Sequence, residues 1–252
     1  MPNRSPSPSN SPLIHMENVS RYFENSGERI TALEDINMVV QEGEFISVVG
    51  RSGSGKSTLM NMITGIDHPS SGMITIGNTK TQSLTENEMA DWRCRNLGIV
   101  FQFYQLIPVL SALDNVLLPM QLLNNNDSES HLRRAEKLLK AVDLWKKKDR
   151  FPAQLSGGEQ QCAAMARALA NDPSILIADE PTGNLSADEA EQVMVLLKNT
   201  VSQGRTVIYV THDLDLASKS HRTITLSDGS LVKDQVHQPN QKQKRRGKKN
   251  VA

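Results

Sequence analysis

Residues Gly50–Thr58 read Gly-Arg-Ser-Gly-Ser-Gly-Lys-Ser-Thr and follow the apolar run Phe45–Val49 directly. No other stretch limits the fold as tightly. The run is short and β-branched, as buried strands are. A helical pattern starts at Lys56 and stops at Gly65, a residue type suited to the position after a helix. Strand, glycine-rich turn and helix in that order aim backbone N–H groups and a helix N-terminus at one point, which favours an anion. Gly50, Gly53 and Gly55 let the backbone approach phosphate oxygens without Cβ clashes. The spacing G-x-x-x-x-G-K-[ST] also places the Lys56 ammonium for β- and γ-phosphates and the Ser57 hydroxyl for Mg2+. Ser52, Ser54 and Thr58 complete the predicted cradle. A chance Gly/Ser loop would lack the strand before it and the helix after it.

The rest of the chain repeats the alternation. Leu97–Phe101, Ile175–Ala178, Val207–Val210 and Ile224–Leu226 read as further buried strands. Helical patterns cover Ser57–Thr64, Ser130–Val142, Gly158–Asn171 and Ala187–Val201. This order predicts an α/β sheet with covering helices. Leu13 to Val40 alternates and reads as antiparallel strands. The stretch from about 89 to 171 is mostly helical and reads as an inserted helical subdomain, with a polar loop from Asn124 to Ser128. The Ser/Pro/Asn-rich head over 1–12 and the basic tail over 237–252 cannot bury apolar area and read as disordered, leaving a folded body over 13–236.

Composition removes several classes. The chain has 252 residues, and no apolar run approaches the ~18 residues of a membrane helix. The first residues lack the apolar core of a signal peptide. Cys94 and Cys162 form neither a disulfide framework nor a metal-ligand spacing. The net charge of zero hides an asymmetry: six of the 28 basic residues lie in 237–252, and the body carries 21 basic against 28 acidic residues. An acidic body with a basic tail is not the footprint of a nucleic-acid-binding domain, so no nucleic-acid partner is expected. The tail suits either solvation or contact with anionic lipid.

Two more motifs carry chemistry. In Ile-Leu-Ile-Ala-Asp-Glu-Pro-Thr-Gly, Asp179 closes a buried strand at the edge where parallel sheets bind ligands, placed to hold Mg2+. Glu180 follows it as the candidate general base. Leu155–Gln161 reads Leu-Ser-Gly-Gly-Glu-Gln-Gln before a helix, and Ser156 with Glu159 has capping-box spacing. Gly157 and Gly158 leave that helix start bare enough to receive a second molecule's γ-phosphate.

In this order the motifs resemble those of the ATP-binding cassette (ABC) ATPases, over nearly the whole body. The resemblance implies a P-loop ATPase core with a mixed sheet, an antiparallel β subdomain and the inserted helical subdomain. It implies that Tyr22 stacks on adenine, with Phe23 as the alternative. It implies that Gln102 reaches the metal and the attacking water, and that His212 contacts the γ-phosphate. It further implies a head-to-tail homodimer that sandwiches ATP between Lys56 and Ser57 of one chain and Ser156, Gly157 and Gly158 of the other. Such a subunit hydrolyses ATP to ADP and phosphate on the cytoplasmic face of the plasma membrane, docked on an integral membrane permease. The branch it resembles serves lipoprotein release and macrolide or peptide export; a related cell-division complex relays force without transport. A permease coupling helix would lie in a groove edged by Phe103, Tyr104, Leu106 and Ile107; the alternative is that these residues pack inside the helical subdomain. Soluble translation and repair ATPases of the family are disfavoured, because the chain has one cassette and no coiled coil or cysteine pairs between Ser57 and Ser156. Two positions depart from the pattern. Ser186 stands where the family usually has an aspartate, with Asp188 two residues later, and Cys162 replaces the usual arginine after the signature. Cys162 reads as an inert small residue.

Overall fold

The computed structural model describes residues 12–25, 28–123 and 127–237. Two sheets organise them. The first is antiparallel, in the order β2-β1-β4-β5, from β1 (Ile14–Asn25), β2 (Glu28–Val40), β4 (Ser71–Ile76) and β5 (Thr79–Lys80). The second has the order β10-β9-β3-β8-β7-β6. Its strands are β3 (Phe45–Val49), β6 (Leu97–Val100), β7 (Ile175–Asp179), β8 (Thr206–Val210), β9 (Arg222–Ser227) and β10 (Ser230–Val236). It is mixed: β9, β3, β8, β7 and β6 run parallel, and β10 returns antiparallel to β9.

Strand periodicity divides the core. Successive side chains leave opposite faces of a sheet. Ile46, Val48, Ile177, Ile208 and Val210 therefore share one apolar cluster with the antiparallel sheet and with helix α1 (Lys56–Thr64). Phe45, Leu176, Val207 and Tyr209 share another with Val193, Met194 and Leu197 of α6 (Ala187–Ser202). Every residue of β3 and β8 is buried, which explains why both are apolar but for the buried hydroxyls of Ser47 and Thr206 and the Tyr209 phenol.

Helices α3 (Ala112–Leu122), α4 (Ser128–Ala141) and α5 (Gly157–Ala168) build a third cluster, with Val116, Leu139 and Ala163 at its centre. The strand expected at Leu97–Phe101 is β6, which pairs in parallel with β7 inside the main sheet and interrupts the mostly helical stretch 89–171. Three details differ from the sequence reading. A helix read into no pattern, α2 (Glu86–Asn96), precedes β6 and starts on a Thr85–Glu88 capping box. Helix α5 stops at Ala168, short of Asn171, whose side-chain amide donates to the carbonyls of Cys94 and Pro119, each at 3.0 Å. The loop read over 124–128 is shorter: Asp127 caps Ser130 N–H at 3.0 Å, so Ser128 is already helical, and 124–126 lie outside the described residues. The expected head and tail also lie outside them, except Pro12 and His237. His237 is tied to β9, its N–H donating to His221 O at 2.7 Å. Helix α7 (Leu214–Ala217) completes the body. No helix of the described residues is long and apolar enough to cross a membrane.

Candidate nucleotide site

The C-terminal ends of β3, β7 and β8 meet around one cavity of about 460 Å³. It is lined by Gly50, Ser52, Gly53, Gly55, Lys56, Ser57, Thr58, Gln102, Asp179, Glu180, Val210 and His212. A parallel sheet makes this edge a binding edge, because its loops and helix starts all converge there. Residues from four separate sequence segments are thus brought together.

The loop between β3 and α1 is built for an anion. Gly55 has φ +99°, and a Cβ there would lie 2.6 Å from Ala32 O and 2.9 Å from a Leu33 methyl, so only glycine fits. No side chain caps α1, and its first turn holds no acid. Its first N–H groups therefore keep their hydrogen-bonding capacity for an outside ligand. Lys56 Nζ donates to the carbonyls of Gly50 and Arg51 at 2.9 and 2.8 Å, so its charge is folded over the loop. Ser54 does not line the cavity; it is buried beneath the loop, and its Oγ has no hydrogen-bond partner. The bare N–H groups at the start of α1, with the Lys56 ammonium beside them, fit a phosphate chain.

Asp179 ends β7 beside the Ser57 hydroxyl. Burial pushes its carboxyl above the usual aspartate range and the neighbouring Glu180 charge adds to this, while the Ser57 hydrogen bond and the Lys56 charge oppose it. A carboxylate and a hydroxyl side by side are hard oxygen donors of the kind Mg2+ takes. Glu180 holds a left-handed backbone, φ +45°, uncommon for a side chain of its size. Its carboxylate lies 2.6 Å from His212 Nδ1, a pairing that sequence could not display. Gln102 follows β6, and its carbonyl accepts a 3.4 Å hydrogen bond from the Asn184 amide.

Other expected residues lie elsewhere. Tyr22 and Phe23 do not border the cavity. The Arg29 guanidinium lies 3.3 Å from the Tyr22 ring centroid, and Arg21 lies 4.6 Å from that of Phe23. Both rings are thereby engaged by cations of their own sheet. Ser156, Gly157 and Gly158 are also outside it. Ser156 caps α5, with Glu159 N–H on its Oγ at 3.2 Å and the Glu159 carboxylate on its own N–H at 3.1 Å. Lys147 pairs with Glu159 and, together with that cap, holds its carboxyl below the usual range. Ser186, at the departure from the family pattern, caps α6 in the same way with Glu189. Asp188 instead borders a groove with Cys162 and Glu191. Burial, with Glu159, Glu189 and Asp143 nearby, pushes the Cys162 thiol up to about 11, so it stays protonated.

A groove opens beside the segment expected to meet the permease, but most of the four named residues do not line it. Leu106 is buried in the helical cluster, and Tyr104 packs against it. Phe103 is 71% exposed and stands apart. Of the four, Ile107 lines the groove, with Ile66, Phe101, Gln105, Leu118 and Leu122. Arg167, which motif reasoning passed over, shapes that edge. Its guanidinium donates to the carbonyls of Gln105 and Tyr104 at 2.5 and 2.9 Å, and both residues have positive φ.

A family model described as ABC transporter matches residues 33–183. The lipoprotein-releasing system ATP-binding protein LolD of Idiomarina loihiensis is 41% identical over 224 residues, covering 88% of this chain and 98% of that protein. The macrolide export ATP-binding/permease protein MacB of Pasteurella multocida is 40% identical over 225 residues, covering 89% of this chain but 34% of its own length. The ATP-binding cassette MJ0796, solved as a dimer in a post-hydrolysis state with ADP and Pi, superposes with a TM-score of 0.85 at 40% identity, covering 90% of this chain and all of that one. The fold, the motif order and these relatives agree, and the chain belongs to the ABC transporter family as an ATP-binding cassette.

Proposed function

We propose that this cassette hydrolyses ATP as one half of a head-to-tail dimer and drives a separate membrane permease of the lipoprotein-release or macrolide-export type. The observation that carries the reading is that one chain holds half a site. The phosphate loop, Asp179, Glu180 and His212 share one cavity, while Ser156–Gly158 sit outside it. A second chain supplies the missing half. The dimeric form of MJ0796 supports this, as do the export-system names of the relatives.

In the mechanism, Lys56 and the loop N–H groups hold the β- and γ-phosphates. Ser57, Asp179 and Gln102, which line the same cavity, would hold Mg2+, and the ion would neutralise phosphate charge there. Glu180 accepts a proton from the water that attacks the γ-phosphorus; the bond to the β,γ-bridging oxygen breaks, and ADP and phosphate leave. His212 keeps the Glu180 carboxylate in place and reaches the γ-phosphate. Tyr22 stacks on adenine once Arg29 gives up the ring. Closure on ATP and opening after hydrolysis bias a two-state element, as differential binding requires. The permease takes the groove at Ile107 and Leu122, at the cytoplasmic face of the membrane.

One experiment tests the set. Glu180→Gln, loaded with Mg-ATP, should dimerise and turn over at least about 10²-fold more slowly, the usual cost of losing a general base. Purified from detergent-solubilised host membranes, it should carry a stoichiometric integral membrane protein, and Ile107→Glu with Leu122→Glu should release that protein while ATP still binds. Unchanged turnover removes Glu180 from the mechanism. A dimer without any membrane partner removes the permease. A partner without a translocation path favours force relay over export.

A further inference from the structure

Glu189 does more than cap its own helix. Its Oε2 accepts the Ser186 N–H at 3.0 Å and the Ser186 hydroxyl at 2.8 Å. Its Oε1 reaches across to the first turn of α5 and accepts the Gly158 N–H at 3.1 Å. Two helix N-termini, 31 residues apart in sequence, therefore share one carboxylate. These bonds hold its carboxyl below the usual glutamate range, so it is ionised at neutral pH. The approach depends on glycine: a Cβ at Gly158 would lie 2.4 Å from Oε1.

The Gly158 N–H is one of the orphan donors of a helix start. In the sandwich dimer it is among the groups that receive the partner's γ-phosphate. One N–H cannot serve a carboxylate and a phosphate equally, and two anions at that distance repel. We propose that Glu189 is an internal stand-in for the partner's γ-phosphate, occupying the Gly158 N–H in the free chain and yielding it when the ATP dimer closes. The proposal rests on the head-to-tail reading above. It also gives Ser186 a consequence. The acid absent from that position reappears three residues later, aimed at the chain's own signature helix. Glu189 is a positioning residue that raises the threshold for closure and keeps α5 ordered until a partner's nucleotide arrives.

The test uses the full chain carrying Glu180→Gln, with dimerisation read by sedimentation across protein concentration at saturating Mg-ATP. Adding Glu189→Gln keeps an oxygen for the Ser186 cap and removes the charge. It should lower the concentration for half-dimerisation about tenfold. Glu189→Asp, too short to span both helices, should act the same way, and it carries the test if the glutamine variant does not fold. An unchanged or higher threshold overturns the proposal, because a plain structural brace would weaken the dimer when removed. Ser156→Arg is the control. If it abolishes the dimer, the sandwich stands whatever Glu189 does; if the dimer survives, the sandwich reading fails and the proposal with it.

Discussion

Two helix N-termini of this chain are assigned to the same kind of ligand, yet they are finished in opposite ways. At α1 the preceding residue is Gly55, no side chain caps the helix, and its first turn is free of acid. At α5 the Ser156–Glu159 box closes the helix, Lys147 covers that glutamate, and Glu189 takes the Gly158 N–H. A bare N-terminus is ready for an anion and unstable without one; a capped N-terminus is stable alone and must be opened. The first suits the half-site that loads ATP inside one chain. The second suits the half-site that waits for another chain's ATP.

The sharpest way to break this contrast is to give α1 what α5 has. Thr58→Glu places an acid in the first turn of α1, facing the cavity. Two unit charges about 4 Å apart near a protein surface repel by about 4 kcal/mol. Nucleotide affinity, measured with a fluorescent ATP analogue, should fall at least about a hundredfold. A change below about threefold would mean that α1 is not the phosphate end.

The reverse change is smaller. Ser156→Ala removes the α5 cap and should cost about 1 kcal/mol. Thermal unfolding without nucleotide should then shift down by about 2–4 °C. No shift would mean that the Glu189 contact alone holds this helix start.

The smallest effect concerns the open end when it is empty. The Asp179 carboxyl is raised by burial from a reference of 3.8. A raised carboxyl adds stability that is complete below the reference value and is lost as pH rises through the folded-state value. At neutral pH the ionised Asp179 is therefore a liability to the ligand-free fold. Asp179→Asn should unfold slightly higher than the parent at pH 7, and that advantage should vanish below about pH 3.8. An advantage that grows on acidification would contradict the burial argument.

Much of the site is legible in the sequence because its chemistry is local. The phosphate loop needs three glycines, a lysine and a serine within nine consecutive positions, so covalent spacing alone determines the cradle. Asp179 and Glu180 are adjacent, and the strand that ends at them announces its own burial. The fold class follows from the same alternation, since fully buried strands can lie only between covered faces.

What the motifs left open was whatever depended on which face met which. Leu106 read as either groove edge or core and is core, because periodicity cannot separate an exposed apolar side chain from one covered by a later helix. Tyr22 has a neighbour that no motif displays: its ring faces Arg29 across the β1–β2 pair. Ser186 looked like a lost acid, and only the packing of α6 against α5 shows Glu189 reaching Gly158.

The sequence by itself determined the nucleotide chemistry, because the groups that bind phosphate are fixed to one another by a few covalent bonds. Only the tertiary structure decided how that chemistry is restrained. The His212–Glu180 pair, the Arg167 anchor of the groove edge and the Glu189 bridge join residues 32, 62 and 31 positions apart. Contacts at such separations exist only where the packed core brings two element ends within hydrogen-bonding reach, and no local pattern encodes that distance.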